Sequence, residues 1–184
     1  MKMNLPNKLT VLRMIMVPFF CFFYLTSLVP EPAKYWISLA IFALASYTDH
    51  LDGKIAREQH LITDFGKFMD PLADKLLVCS AFICFVESGQ VPAWMTIILI
   101  GREFIISGFR LVAAGKGVVI AANMWGKIKT VVQMAAVIAI LLPLSYDWLV
   151  VLRWILLYAS VALTIISVVD YIVLNAHVLK ESDE

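Results

Sequence analysis

Four aspartates, Asp49, Asp52, Asp70 and Asp74, lie in the single stretch "SYTDHLDGKIAREQHLITDFGKFMDPLADK" of a 184-residue chain that is 61% hydrophobic and 16% charged. The first two are spaced i,i+3 and the last two i,i+4, which puts each pair on one face of a helix. Like charges at close range repel, and each loses hydration at the edge of a low-dielectric region, so four such carboxylates call for a cation. Oxygen donors without histidine or thiolate select a hard ion, Mg²⁺ or Mn²⁺ rather than Zn²⁺, and four carboxylates can bridge two of them. Two metals about 3.5–4 Å apart stabilise both the attacking and the leaving oxygen in phosphoryl transfer. The plainer alternative is that the aspartates cap helices or pair with Lys54, Arg57, Lys67 and Lys75 at the headgroup boundary. Four carboxylates at these spacings speak against it, because intramembrane charge is costly and as a rule functional.

The elements that must carry these residues follow from composition. Ordinary soluble domains are roughly 45–50% apolar and about 25% charged, so this chain reads as an all-α integral membrane protein. A membrane-spanning helix needs about 20 mostly apolar residues, and six stretches qualify: Leu9–Val29, Lys34–Lys54, Met69–Val86, Pro92–Ala114, Val131–Leu144 with a polar lead-in from Gly126, and Trp148–Leu174. The expectation is one six-helix membrane domain over residues 1–184, with a short juxtamembrane segment at 1–8. No small-x-small cleavage pattern follows the first apolar run, which is read as a retained span and not as a signal peptide.

Lys and Arg accumulate in short cytoplasmic loops. With both termini inside, only Lys34 and Arg153 fall on the outer side, Arg102 falls mid-span, and every other Lys and Arg is cytoplasmic. The second helix then runs inward and the third outward, so the two aspartate pairs meet at similar depth on the cytoplasmic face. A net charge of +1 with no basic tract gives no reason to expect nucleic acid. Cys21, Cys79 and Cys84 sit in apolar helices without C-x-x-C spacing and read as core residues.

Between the aspartate pairs, Gly53 and Ala56 leave room for a flat group to approach the backbone, Gly66 does so from the facing side, and Arg57 offers a fork of donors to a phosphate. Close helix packing is the other use of such small residues. Taken together, Asp49 to Asp74 reads D-x-x-D-G-x-x-A-R-x8-G-x-x-x-D-x-x-x-D. This resembles the signature of the CDP-alcohol phosphatidyltransferases at every fixed position. The resemblance implies a six-helix fold, a homodimer, and displacement on the β-phosphate of a CDP-linked lipid such as CDP-diacylglycerol, with an alcohol attacking and CMP leaving. It makes Asp49, Asp52 and Asp70 ligands of two divalent ions, with Asp74 both touching metal and taking the proton of the attacking hydroxyl. Gly53, Ala56, Arg57, Thr63 and Gly66 take the places that hold the cytidine and its phosphates, and "NLPNKLT" adds Asn7 and Thr10. The site would open to the cytoplasmic side of the cell membrane, with the acyl chains in the bilayer.

The acceptor must be read elsewhere. "GREFIISGFR" places Glu103, Ser107 and Arg110 at i, i+4, i+7 on one helix face, and "WGKIKT" brings Lys127 and Lys129 to the cytoplasmic side. Arg110, Lys127 and Lys129 form a basic group suited to an acceptor that is itself a phosphate ester. The alternative is that the lysines obey the positive-inside rule and touch anionic headgroups. "NLPNKLTVLR", "GREFIISGFR" and "GKIKT" resemble bacterial family members whose acceptor is sn-glycerol 3-phosphate, apart from Gly101, where Ala is commoner. Arg102 and Glu103 are expected to support the site through neighbouring helices. Family members using serine, inositol phosphate or phosphatidylglycerol remain alternatives. From other classes, a divalent-cation transporter would need carboxylates near the midplane and related halves, and a noncatalytic scaffold leaves the aspartate spacing unexplained.

Overall fold

The computed structural model describes the backbone of residues 5–58, 64–115, 118, 120, 123–144 and 146–175, and the side chains of these except 5, 6, 50–58, 64–68, 70, 71 and 74. Every regular element among them is an α-helix: α1 (Leu5–Leu25), α2 (Ala33–Glu58), α3 (Asp64–Glu87), α4 (Ala93–Gly115), α5 (Met124–Leu141) and α6 (Asp147–Asn175). The six expected stretches are therefore helical, with shifted ends. An apolar window marks only the part of a helix suited to hydrocarbon, whereas backbone hydrogen bonding continues into polar turns. That is why α3 begins at Asp64 and not Met69, and why α5 begins at Met124. Among the described residues three segments are long and apolar enough to cross a membrane: Asn7–Leu25, Met124–Leu141 and Asp147–Asn175. In the other helices the apolar run is interrupted by charge, by Arg102, Glu103 and Arg110 in α4 and by the aspartates in α2 and α3.

The chain divides into two compact units, one made of Met1–Gln90 with Ile140–Leu144, the other of Val91–Ala139 with Ser145–Glu184. In the first, α1 packs on both α2 and α3, and α2 on α3. The buried positions of α1 are Asn7, Thr10, Arg13, Val17, Phe20 and Tyr24, a three-and-four spacing that keeps one stripe inward. Along that stripe chemistry changes, from polar over the first three positions to apolar over the last three. At the apolar end Phe20 stacks on Tyr24 (centroids 5.9 Å apart) and meets Phe42 of α2 at 6.2 Å. Tyr24 also touches Tyr35 of α2 and Phe85 of α3, at 5.8 and 5.3 Å. Its hydroxyl lies 2.9 Å from Ser88 Oγ and accepts from Gln90 Nε2 at 3.0 Å. A buried Tyr hydroxyl needs such partners. The turn after α3 uses Gly89 at φ +72°, where only glycine is unstrained.

In the second unit α4 packs on α6. Arg102 meets Ser167 and Phe109 meets Tyr171, so the two helices advance together and are parallel. Ser160, Thr164 and Ser167 give α6 a buried stripe of small side chains, which permits close approach where no hydrophobic force favours protein over lipid. Asn123 caps α5, its Oδ1 accepting from Gly126 N at 2.9 Å. Arg153 Nε donates at 2.7 Å to Ala139 O, a carbonyl of the last turn of α5 that the helix itself leaves unsatisfied. All three cysteines are free, with Cys84 buried.

Phe42 is fully buried while Phe104 is 72% exposed. Phe42→Ala should therefore destabilise the detergent-solubilised protein by about 3–5 kcal/mol through the cavity it leaves, whereas Phe104→Ala should stay within about 0.5 kcal/mol. Thermal unfolding of the two variants checks this.

Candidate active site

The polar half of the α1 stripe is where a buried cation meets one of the predicted site residues. Arg13, 1% exposed, puts Nη1 2.7 Å from Asp49 Oδ1, and its Nε donates at 3.3 Å to Ala45 O, one turn earlier on α2. Thr48 Oγ1 donates to the same carbonyl at 2.7 Å. The Asp49 side chain is 43% exposed, so a buried cation reaches an acid that is still open to ligands. Asn7 and Thr10 stand on the same inward stripe, at 8% and 0% exposure. Sequence reasoning named Asn7, Thr10 and Asp49 but treated Arg13 only as a marker of orientation. The three-residue spacing of Asn7, Thr10 and Arg13 was the available signal.

Asp52, Gly53, Ala56 and Arg57 belong to the last turns of α2, and Gly66, Asp70 and Asp74 to the opening turns of α3. The side chains of these seven residues, and Thr63 altogether, lie outside the described residues. Among the described residues no three His, Cys, Asp or Glu side chains come together; three of the four aspartates are not in that set. What the backbone supplies is register. Asp49 and Asp52 are spaced i,i+3 along α2, and Asp70 and Asp74 i,i+4 along α3. An all-oxygen set of this kind fits Mg²⁺ or Mn²⁺.

The basic residues of α4 and α5 have unequal surroundings. Arg110 is exposed, its Nε 3.4 Å from Tyr171 Oη and its guanidinium carbon 5.9 Å from the Tyr171 ring centroid. Lys127 is exposed. Lys129 is 2% exposed and donates at 2.5 Å to Glu103 Oε1. The same oxygen accepts from Arg102 Nη1 at 2.9 Å, and Arg102 Nη2 donates to Ser167 Oγ at 2.9 Å. Glu103 thus sits between two cations, and Ser107 Oγ donates to its backbone carbonyl at 2.6 Å. Asn123 Nδ2 donates to Asp170 Oδ2 at 2.7 Å, tying the start of α5 to α6. Gly126 leaves room for this packing. A Cβ there would stand 2.9 Å from both Arg102 Nη2 and Asn123 Oδ1. Neither the Glu103–Lys129 pairing nor the Asn123–Asp170 bond is visible in spacing along one helix, since each joins residues far apart in the chain.

Removing one partner of a buried ion pair strands the other. Glu103→Leu should cost about 3–5 kcal/mol, and adding Lys129→Met should recover most of it. Thermal unfolding of the single and double variants checks this.

The chain has close relatives. The family model for CDP-alcohol phosphatidyltransferase matches residues 3–166. A Bacillus subtilis (strain 168) protein named CDP-diacylglycerol–glycerol-3-phosphate 3-phosphatidyltransferase is 42% identical over 195 residues, covering 98% of this chain and 99% of its own. The protein of the same name from Haemophilus influenzae is 40% identical over 178 residues, 94% of this chain and 93% of its own. A probable phosphatidylglycerophosphate synthase of Mycobacterium tuberculosis (strain H37Rv) is 40% identical over 169 residues, with 92% and 80% covered.

Proposed function

The chain belongs to the CDP-alcohol phosphatidyltransferase family, and from that premise we propose that it transfers a phosphatidyl group from CDP-diacylglycerol to sn-glycerol 3-phosphate, giving phosphatidylglycerol phosphate and CMP. Its relatives of 40–42% identity over nearly the whole chain are named for this reaction. The observation that carries the reading is the run from Asp49 to Asp74, eight fixed residues of the family pattern, set on the end of one helix and the start of the next.

The acceptor hydroxyl attacks the phosphorus that carries the diacylglycerol, the bond from that phosphorus to the CMP oxygen breaks, and a phosphodiester forms. Asp74 takes the hydroxyl proton. Enzymes of this family are metal-dependent in general, and here Asp49, Asp52, Asp70 and Asp74 would hold two Mg²⁺ or Mn²⁺ ions. When bound, the ions neutralise charge building on the phosphoryl oxygens and favour ionisation of the attacking hydroxyl. Asn7, Thr10, Gly53, Ala56, Arg57, Thr63 and Gly66 bind the cytidine and its phosphates. Arg110, Lys127 and Lys129 bind the acceptor phosphate, and the Glu103 carboxylate fixes the Lys129 ammonium. All six helices span the cell membrane, both termini are cytoplasmic, the reaction faces the cytoplasm, and the protein is a homodimer.

Incubating the purified protein with CDP-diacylglycerol, Mg²⁺ and each of glycerol 3-phosphate, serine, inositol phosphate and phosphatidylglycerol should yield CMP and a new lipid only with the first. Asp70→Asn should abolish the product. CMP release that Asp70→Asn leaves intact contradicts the metal assignment, and a serine adduct contradicts the acceptor. Loss of a charged hydrogen bond is worth about 1.5–3 kcal/mol, so Lys127→Ala should raise the KM for glycerol 3-phosphate about tenfold or more. The KM for CDP-diacylglycerol should change far less, which initial-rate kinetics in both substrates will show.

A further inference from the structure

We infer that Arg13 is a positioning residue for divalent-metal binding, acting through Asp49. The inference rests on the metal-holding role proposed above for Asp49. Three observations on the first unit carry it.

Arg13 is 1% exposed near the start of an apolar helix, where a guanidinium without compensation is expensive. Part of its compensation comes from one turn of α2, the Ala45 carbonyl and the Asp49 carboxylate. Two anchor points four residues apart hold the guanidinium against that turn and fix the side chain that reaches Asp49. The contact is also one-sided. It engages Asp49 Oδ1 at 2.7 Å, while the Asp49 side chain remains 43% exposed. A pair built only to join α1 to α2 would bury both members, whereas here the cation is inside and the acid is left open, with Oδ2 as the oxygen through which it would meet a metal.

The stripe on which Arg13 stands supplies the third point. Asn7 and Thr10 precede it at three-residue intervals, and all three are buried. The opening turns of α1 thus form a polar edge laid against the helix that carries the first acid of the motif. Carboxylates crowded in a low-dielectric setting repel one another. A guanidinium ion-paired with one oxygen of one of them holds that carboxylate in place before a cation arrives. Hydrogen-bonding partners behind metal ligands typically account for about ten- to a hundredfold in metal affinity. Repulsion between the guanidinium and the ion acts in the opposite sense, so the sign of the change on removing Arg13 decides between presentation and competition.

The test is Mn²⁺ titration of the purified full-length protein in detergent, followed by electron paramagnetic resonance, with no turnover involved. Arg13→Gln should weaken Mn²⁺ binding about ten- to a hundredfold. Arg13→Lys, which keeps the charge and loses the fork, should lose only part of this and carries the comparison if Arg13→Gln fails to fold. In an Asp49→Asn background Arg13→Gln should add nothing, because the two act as one unit. Equal losses in both backgrounds overturn the inference, since that is the mark of a role in packing alone. Binding by Arg13→Gln as tight as wild type, or tighter, also overturns it, provided Asp70→Asn still abolishes binding; the metal assignment then stands without Arg13. A wild-type protein that takes up no Mn²⁺ removes both.

Discussion

A charge inside hydrocarbon must find its partner within the protein, and the fold of this chain is arranged around that demand. In lipid, apolar packing holds helices together without telling them which neighbour to choose, because the tails are as apolar as leucine. The directional information comes from polar contacts. Arg13 ties α1 to the turn of α2 that carries Asp49. Glu103 binds Arg102 on its own helix and Lys129 on α5, and Arg102 in turn reaches Ser167 on α6. Asn123 caps α5 and holds Asp170 of α6 with the other end of the same amide. The contacts from Arg13 to α2, from Glu103 to Lys129, from Arg102 to Ser167 and from Asn123 to Asp170 each join two helices at a defined register.

The same demand separates the structural charges from the reactive ones. Those with protein partners, such as Arg102 on Glu103, are neutralised within the fold. Carboxylates gathered without enough cations nearby are a different matter, and Asp49 shows the distinction in one residue: an acid partly matched by a buried guanidinium and still open to solvent. Membership of the CDP-alcohol phosphatidyltransferases sets aside the cation-transporter reading.

Much of this was legible in the chain itself. Six apolar stretches predicted six spanning helices, and among the described residues six helices are observed, three of them long and apolar enough to cross a membrane; the ends moved because hydropathy reports the membrane and not the hydrogen bonds of the backbone. The aspartate spacing predicted a shared face on each of two consecutive helices, and the backbone of α2 and α3 has that register. What was not legible is pairing across helices. Counting Lys and Arg by side assigns Arg13 and Lys129 to a cytoplasmic boundary, yet both are almost fully buried. A rule about loops says nothing of a long side chain whose head finds an acid inside. Gly126 reads as a small residue at a helix start, and only the three-dimensional neighbourhood shows that an added Cβ would push on the side-chain ends of Arg102 and Asn123.

The central claim is that carboxylates on α2 and α3 make a seat for two divalent ions. The direct measurement is the metal content of the purified chain after equilibrium dialysis against Mn²⁺, counted by inductively coupled plasma mass spectrometry. Two ions per chain in the wild type, falling when Asp49, Asp52, Asp70 or Asp74 is changed to Asn, is the predicted result. A chain that retains no Mn²⁺, or whose content is indifferent to all four substitutions, contradicts it.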